Sequence, residues 1–250
     1  AYLGYNVDGR LGRINLTGSF YWALGEDRNS FFTDRPADIN AQFAALEASY
    51  DRDWMRFRLS GAYASGDSDP YDDKEGGFDA IFENPVFAGA DTSYWIRQTI
   101  PFAGGGRAVS VNGRNGLLNS LRSSKEQGQS NFNNPGLILA GVGADFDLTP
   151  QFRLSANANH LWFANTSNLQ ALRNEGSIPR DIGWDLSVAA IWRSSSHWMM
   201  STNTWLCTGA VSVSTFIHSR ARAGSPWASS RRSMWLPSGV HHSSMACARL

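Results

Sequence analysis

Seven segments of this chain alternate apolar and polar residues with a period of two, and this pattern constrains the fold most strongly. Successive side chains of a β-strand point to opposite faces of a sheet, so the period predicts strands with one apolar and one polar face. The clearest segment runs from Met55 to Tyr63, where apolar residues and a glycine alternate with Arg56, Arg58, Ser60 and an alanine. The sequence therefore predicts an all-β, antiparallel fold.

The connections between these segments alternate between two lengths. Tight turns are predicted at Asp8–Arg10, Asp51–Asp53 and Leu148–Gln151, and long polar connections at about 25–37, 66–135 and 164–181. Outer-membrane barrels have short turns on one side and long loops on the other, with strands of about 9–11 residues. We therefore expect a partial up-and-down transmembrane β-barrel of about seven strands over residues 1–193, with a long loop at 66–135.

Aromatic residues end the apolar face of the predicted strands on both sides. On the loop side they are Trp22, Tyr63 and Trp162, and on the turn side Tyr50, Phe146 and Trp192. Aromatic belts at the two membrane interfaces are typical of transmembrane barrels. A soluble β-sandwich also alternates, but it requires neither these aromatic ends nor such small polar residues on the opposite face. A soluble β-rich carbohydrate-binding module is therefore the alternative.

The composition changes sharply after Arg193. All 22 acidic residues precede this point, whereas residues 194–250 carry five arginines, no acid and both cysteines, and are rich in Ser, Trp and His. We found no alternating pattern there and expect a disordered, non-barrel tail. Such a composition is typical of a coding region translated in a shifted frame, so we predict a frameshift near residue 194. A natural basic disordered tail is the alternative.

Several motifs, taken in their order along the chain, resemble the alginate-export family of outer-membrane barrels. They are Ala48–Arg58, Tyr63–Asp67, Asn84–Gly89, Leu121–Lys125, Asn134–Gly136 and Asp147–Pro150, so the resemblance covers roughly residues 3–193. It implies a many-stranded barrel in the bacterial outer membrane that passes an anionic, alginate-like polysaccharide through a basic lumen. Seven strands are too few for such a barrel, so we expect this chain to be a fragment.

Four arginines lie on the polar face near the tight turns: Arg13, Arg56, Arg58 and Arg153. Rings of arginine make pores anion-selective, and guanidinium groups bind carboxylates through two hydrogen bonds. We therefore predict that these arginines form a lumen path for an anionic oligosaccharide or polysaccharide. In the alternative, they pair with carboxylates of neighbouring strands and only fill the lumen. The carboxylates in question are Glu47, Asp145, Asp147 and Asp185.

The longest connection begins with an acidic stretch that contains Asp67, Asp69, Asp72, Asp73 and Glu75. Clustered carboxylates on a loop can bind Ca²⁺, although the glycine at the sixth position of an EF-hand is missing here. A solvated polar loop is the alternative. Apolar patches further along segment 66–135 indicate packing, so we expect it to enter or cap the barrel mouth, or else to form a plain surface excursion.

No Ser/His/Asp, Cys/His or HExxH arrangement is present, so we expect no enzyme activity. Apart from the calcium candidate, the sequence points to no cofactor and to no nucleic-acid partner. The expected partners are outer-membrane lipid and an anionic saccharide. A structural or adhesive barrel with a plugged lumen is the alternative function.

Overall fold

The computed structural model describes residues 1–79, 87–89, 99–101, 108–110, 132–193, 206–218 and 246–248. They form an antiparallel up-and-down sheet, which confirms the predicted all-β class. Its strands follow one another in the order β1 (Tyr2–Leu11), β2 (Ile14–Asp27), β3 (Ala37–Arg52), β4 (Met55–Ala64), β8 (Leu137–Thr149), β9 (Phe152–Trp162), β10 (Asp181–Trp192), β11 (Leu206–His218) and β12 (Ala246–Ala248). Within the described residues the sheet is open, because β1 pairs with β2 alone.

The smaller elements lie in the connections. Strand β5 (Lys74–Glu75) pairs in parallel with β3, and β6 (Thr99–Pro101) forms a separate hairpin with β7 (Ala108–Ser110). One short helix, α1 (Ser167–Arg173), lies between β9 and β10. Within the described ranges, no helix is long and apolar enough to cross a membrane.

Tight turns join β1 to β2, β3 to β4 and β8 to β9, and the long connections leave from the opposite end of the sheet. We refer to these two ends as the turn end and the loop end. The first turn lies at Gly12–Arg13, so the predicted turn at Asp8–Arg10 is wrong. Gly12 has a φ of 64°, a left-handed conformation that glycine adopts without a steric penalty. The chain therefore turns at Gly12.

The two faces of the sheet have a polarity opposite to that of a sheet packed on a hydrophobic core. In β4, Leu59 is 64% exposed and the next residue, Ser60, is 4% exposed. In β10, Val188 is 52% exposed and Ser187 is 3% exposed. We call the face with the exposed apolar side chains the outer face. In addition to Leu59 and Val188, it carries Leu3, Tyr5, Leu16, Phe20, Leu46, Phe57, Val142, Trp184, Leu186 and Trp192.

The buried hydrophobic cluster lies on the other face, the inner face, at the loop end. Residues from the long connection, including Phe78 and Phe132, pack there against strand residues such as Phe43, Leu139 and Leu161. The Phe78 ring stacks on the Phe43 ring at a centroid distance of 5.3 Å. Phe78, Phe87, Ala88 and Phe132 of segment 66–135 thus cover part of the inner face, so a plain surface excursion does not describe these parts of the segment.

The tail differs from the expected disorder at two places. Strand β11 pairs antiparallel with β10 from His218 to Gly209, and β12 pairs with the start of β11. The sequence of β11 alternates β-branched residues with serines around Val211 and Val213, which is typical of a strand, and we overlooked this pattern. The expectation of a wholly disordered tail is therefore wrong, whereas the frameshift stays a prediction.

Candidate functional site

The inner face of β3, β4, β8, β9 and β10 carries hydrogen-bonded groups of polar side chains, which together we call the polar network. Its members are Glu47, Arg58, Ser60, Asp145, Ser155, Asn157, Asn159, Asp185 and Ser187. The strand register creates it, because same-face residues of adjacent strands lie directly opposite each other, as Glu47 and Ser60 do.

Two glycines of β8 make room for the long side chains of the polar network. A Cβ atom at Gly141 would lie 2.1 Å from Asn159 Oδ1, and one at Gly143 would lie 2.8 Å from Asn157 Oδ1. The guanidinium of Arg58 also lies over Gly143, 3.0 Å from the same hypothetical Cβ. The alternating glycines of this strand therefore allow the amides and the guanidinium to lie across it.

Arg58 is the central cation of the polar network. Its Nη1 donates to Asp145 Oδ2 at 2.8 Å, and its Nη2 donates to Asn157 Oδ1 at 2.7 Å. Ser155 donates to the other carboxylate oxygen of Asp145 at 2.6 Å. Both charged side chains are largely buried, with exposures of 14% for Arg58 and 5% for Asp145. Because water is mostly excluded, the attraction between the two charges is screened less than at a surface.

The other predicted lumen arginines lie closer to the turn end. Arg153 binds Asp147 through two hydrogen bonds of 2.6 and 2.7 Å. Arg56 binds Asp51 in the same bidentate manner. Arg13 is exposed in the first turn and lies outside the polar network. The structure thus brings three of the four arginines onto one face, each paired with a carboxylate.

Two of the four carboxylates that were considered as partners of the arginines do form such pairs. Asp145 and Asp147 do pair with arginines, whereas Glu47 accepts from Ser60 and Asp185 accepts from Asn159. Asp51, the partner of Arg56, was not among the predicted carboxylates. The antiparallel register, which places Asp51 opposite Arg56, was the signal that could have found it.

A short piece of the long connection, Phe87–Gly89, lies against the polar network. Glu47 Oε2 accepts a hydrogen bond from the Ala88 N–H at 3.0 Å and one from the Ser60 hydroxyl at 2.7 Å. On the other side, Asn159 Nδ2 donates to the Ala88 carbonyl at 3.1 Å. The backbone N–H and C=O groups of buried Ala88 are thereby both satisfied by the sheet, as buried backbone groups require.

The structure does not bring the acidic stretch together as a calcium site. Asp69 and Asp72 instead accept hydrogen bonds from backbone N–H groups two residues further on, and Asp73 is exposed. Asp67 and Glu75 are buried and accept from Gly76 and Asn133, respectively. The described residues contain no group of three or more potential ligands that could hold a metal ion, and the calcium site stays a prediction.

Asp67 makes the loop end sensitive to pH. Burial raises the pKa of Asp67 to about 6, and the Asp72 and Glu75 carboxylates act in the same direction, against the opposing Gly76 N–H and Asn168 amide. Since the folded-state pKa lies above the ordinary value of 3.8, this carboxyl contributes stability below about pH 4 that is lost as the pH rises through 6. We therefore expect the folded chain to unfold at lower urea concentration at pH 7 than at pH 5.

The matched variants for this prediction are Asp67→Asn and Asp69→Asn. The first replaces the buried carboxyl by a neutral group of the same shape and should reduce the change in the urea midpoint between pH 4 and pH 7. The second changes an exposed aspartate and should leave the pH dependence of the urea midpoint unchanged. Equal profiles for wild type and Asp67→Asn in urea titrations would contradict the assignment.

A scan against protein-family models gives no match for this chain, and searches of curated proteins and of solved structures give no match either. The resemblance to the alginate-export family therefore stays a prediction. What the chain does is argued below from the polarity of its two faces and from the polar network.

Proposed function

We propose that this chain forms part of the wall of an outer-membrane β-barrel channel, with its outer face toward lipid and its inner face toward the lumen. The polarity of the faces carries the proposal. A soluble monomer seldom exposes a contiguous apolar patch of more than a few hundred Å², yet Leu59, Val142, Leu186 and Val188 are all exposed on one face. Lipid acyl chains would remove this apolar surface from water.

The ends of the outer face support the same orientation. At the loop end Trp22 and Tyr63 are exposed, and at the turn end Tyr50 and Trp192 are exposed. Tyrosine and tryptophan prefer the two interfaces of a bilayer, because an apolar ring and a polar group are accommodated there together. The apolar stretch between them is the proposed membrane-spanning band.

A closed barrel requires that a strand from outside the described residues pairs with the free edge of β1. In lipid every backbone N–H and C=O group must be paired, so an open sheet edge is not tolerated. The lumen of an eight-stranded barrel is filled by side chains alone, whereas here Ala88 and Phe78 of the long connection lie on the inner face as well. The proposed barrel therefore has more than eight strands.

The proposed solute is an anionic oligosaccharide or polysaccharide, as the family resemblance implies. The arginines toward the turn end support this, because the side chains of Arg56 and Arg153 stay partly exposed while bound to Asp51 and Asp147. A carboxylate of the saccharide would compete with these aspartates for the same bidentate geometry. Passage would be facilitated diffusion along these residues.

Channel function is tested by recording from the full chain in planar lipid bilayers under a KCl gradient. We expect conductance with a reversal potential that indicates preference for chloride over potassium. Arg153→Gln should reduce that preference, because it removes a cation of the lumen face. Arg173→Gln, on helix α1 in an ion pair with Glu175, is the matched control and should leave it unchanged. A cation-selective current would contradict the anionic solute.

A structural or adhesive barrel with a plugged lumen is the second candidate. The hydrophobic cluster favours it, because Phe78 and Phe132 cover the loop end of the inner face against residues of several strands. Under this alternative, the chain inserts into lipid but conducts no ions. The same recordings therefore distinguish the two functions.

A further inference from the structure

We propose that Glu47 and Asn159 form a latch that holds the backbone of Ala88 across the inner face and thereby sets the width of the passage. The effect on passage rests on the proposed channel, whereas the latch itself does not. Glu47 lies on β3 and Asn159 on β9, which are separated by β4 and β8. Neighbouring strands are about 4.8 Å apart, so the two side chains reach toward one residue from points about 14 Å apart across the strands.

Neighbouring side chains on the sheet orient the two latch residues. The Ser60 hydroxyl donates a hydrogen bond of 2.7 Å to Glu47 Oε2, so the carboxylate is oriented toward the loop. Asn159 also donates to Asp185 Oδ2 at 3.4 Å, which orients its amide. The bond from the Ala88 N–H to Glu47 has a carboxylate acceptor, and such bonds are about twice as strong as those between neutral groups.

The fit of the latched segment depends on Gly89. Ala88 and Gly89 both have left-handed backbones, with φ values of 51° and 68°. A Cβ atom at Gly89 would lie 2.2 Å from Asn157 Oδ1, so any side chain there would push the segment away from the sheet. Glycine is required at this position because it lacks a Cβ atom and because it adopts a positive φ without a steric penalty.

Release of the latch would leave the aromatic contacts of the hydrophobic cluster in place. Phe78 and Phe132 anchor the long connection independently, through Phe43 and through the Tyr2 ring on β1. The latched segment contributes to that cluster only the small side chain of Ala88, and Phe87 is partly buried against it. Segments held by a few polar contacts open at lower free-energy cost than a packed core. The Phe87–Gly89 segment therefore has the properties of an element that opens locally.

The test compares latch variants with a control on the same strand and face. Glu47→Ala, Asn159→Ala and Gly89→Ala each remove one element of the latch, and Glu47→Gln weakens it while keeping the side-chain shape. Ser49→Ala is the control, because Ser49 is buried beside Glu47 but contacts Asn15 rather than the loop. Circular dichroism in detergent micelles establishes that each variant is folded.

The first measurement is chymotrypsin cleavage after Phe87, identified by fragment mass on the full chain in detergent micelles. We expect about tenfold faster cleavage in Glu47→Ala, the ratio that follows from losing a hydrogen bond to a charged group. Glu47→Gln should lie in between, and Ser49→Ala should match wild type. Unchanged cleavage in all folded latch variants would overturn the latch.

The second measurement is single-channel conductance of the same variants in planar bilayers. We expect a severalfold rise in the latch variants and none in Ser49→Ala. Faster cleavage with unaltered conductance would overturn the role of the latch in setting the passage width. Faster cleavage without conductance in any variant, wild type included, would support the latch and overturn the proposed channel, so the two failures are distinguishable.

Discussion

Replacing Leu59 with arginine should strongly reduce stable insertion of the chain into lipid vesicles. Leu59 is among the most exposed apolar side chains of the outer face. It lies at mid-strand, paired in register with Ala48 and Val142, away from the aromatic ends of the sheet. An arginine facing lipid near the bilayer midplane destabilises a transmembrane barrel by about 2–4 kcal/mol. The proposed orientation of the sheet therefore predicts a large effect from one outward substitution.

Thr17→Arg is the matched control for Leu59→Arg. Thr17 is exposed on the inner face of β2, where the proposed orientation places the lumen, so the same charge should be tolerated there. The measurement is the folded fraction that floats with vesicles in a density gradient, together with the urea midpoint of that fraction. A soluble β-fold predicts the reverse: Leu59→Arg would then fold without lipid at least as well as wild type.

Strand positions were predictable from the sequence because their signal is local. The alternation over Met55–Tyr63 or Phe152–Ala158 requires only that neighbouring residues point to opposite faces. The same local pattern gave the side of the sheet on which Arg56, Arg58 and Arg153 lie. The first turn was misplaced because Asp8–Arg10 has turn composition as well, and only pairing with β2 selects Gly12–Arg13.

No pattern in the sequence predicts the latch. Its contacts join Ala88 to Glu47 and Asn159, which are 41 and 71 residues away along the chain, and no spacing rule relates such positions. Packing of the long connection was predicted, but its partners on the strands were missed for a related reason. Leu139 and Leu161 alternate in step with the polar residues of their strands, and they are core residues because apolar side chains of the connections pack over this end of the inner face.

Replacing Arg58 with alanine should destabilise the folded chain more than any other single change in the polar network. The substitution leaves Asp145 buried without its cation and removes the donor to Asn157. Breaking a buried ion pair by removing one partner costs about 3–5 kcal/mol, because the remaining charge is desolvated and uncompensated. Urea unfolding of the chain in detergent micelles, followed by tryptophan fluorescence, measures the difference.

Four further variants separate this cause from simple loss of side-chain volume. Arg153→Ala removes a more exposed pair with Asp147 and should cost only about 0–1 kcal/mol. Arg58→Lys keeps the charge, but an ammonium lacks the planar fork that reaches Asp145 and Asn157 together, so it should restore only part of the stability.

The double variant Arg58→Met/Asp145→Asn is decisive for the buried ion pair. It removes both charges, keeps an acceptor for Ser155 and leaves the aliphatic volume of residue 58 nearly intact. If the loss in Arg58→Ala arises from the uncompensated carboxylate, the double variant should regain more than half of it. If the loss arises from packing against Gly143, the double variant and Arg58→Met alone should be equally stable, and the electrostatic account of the polar network would be wrong.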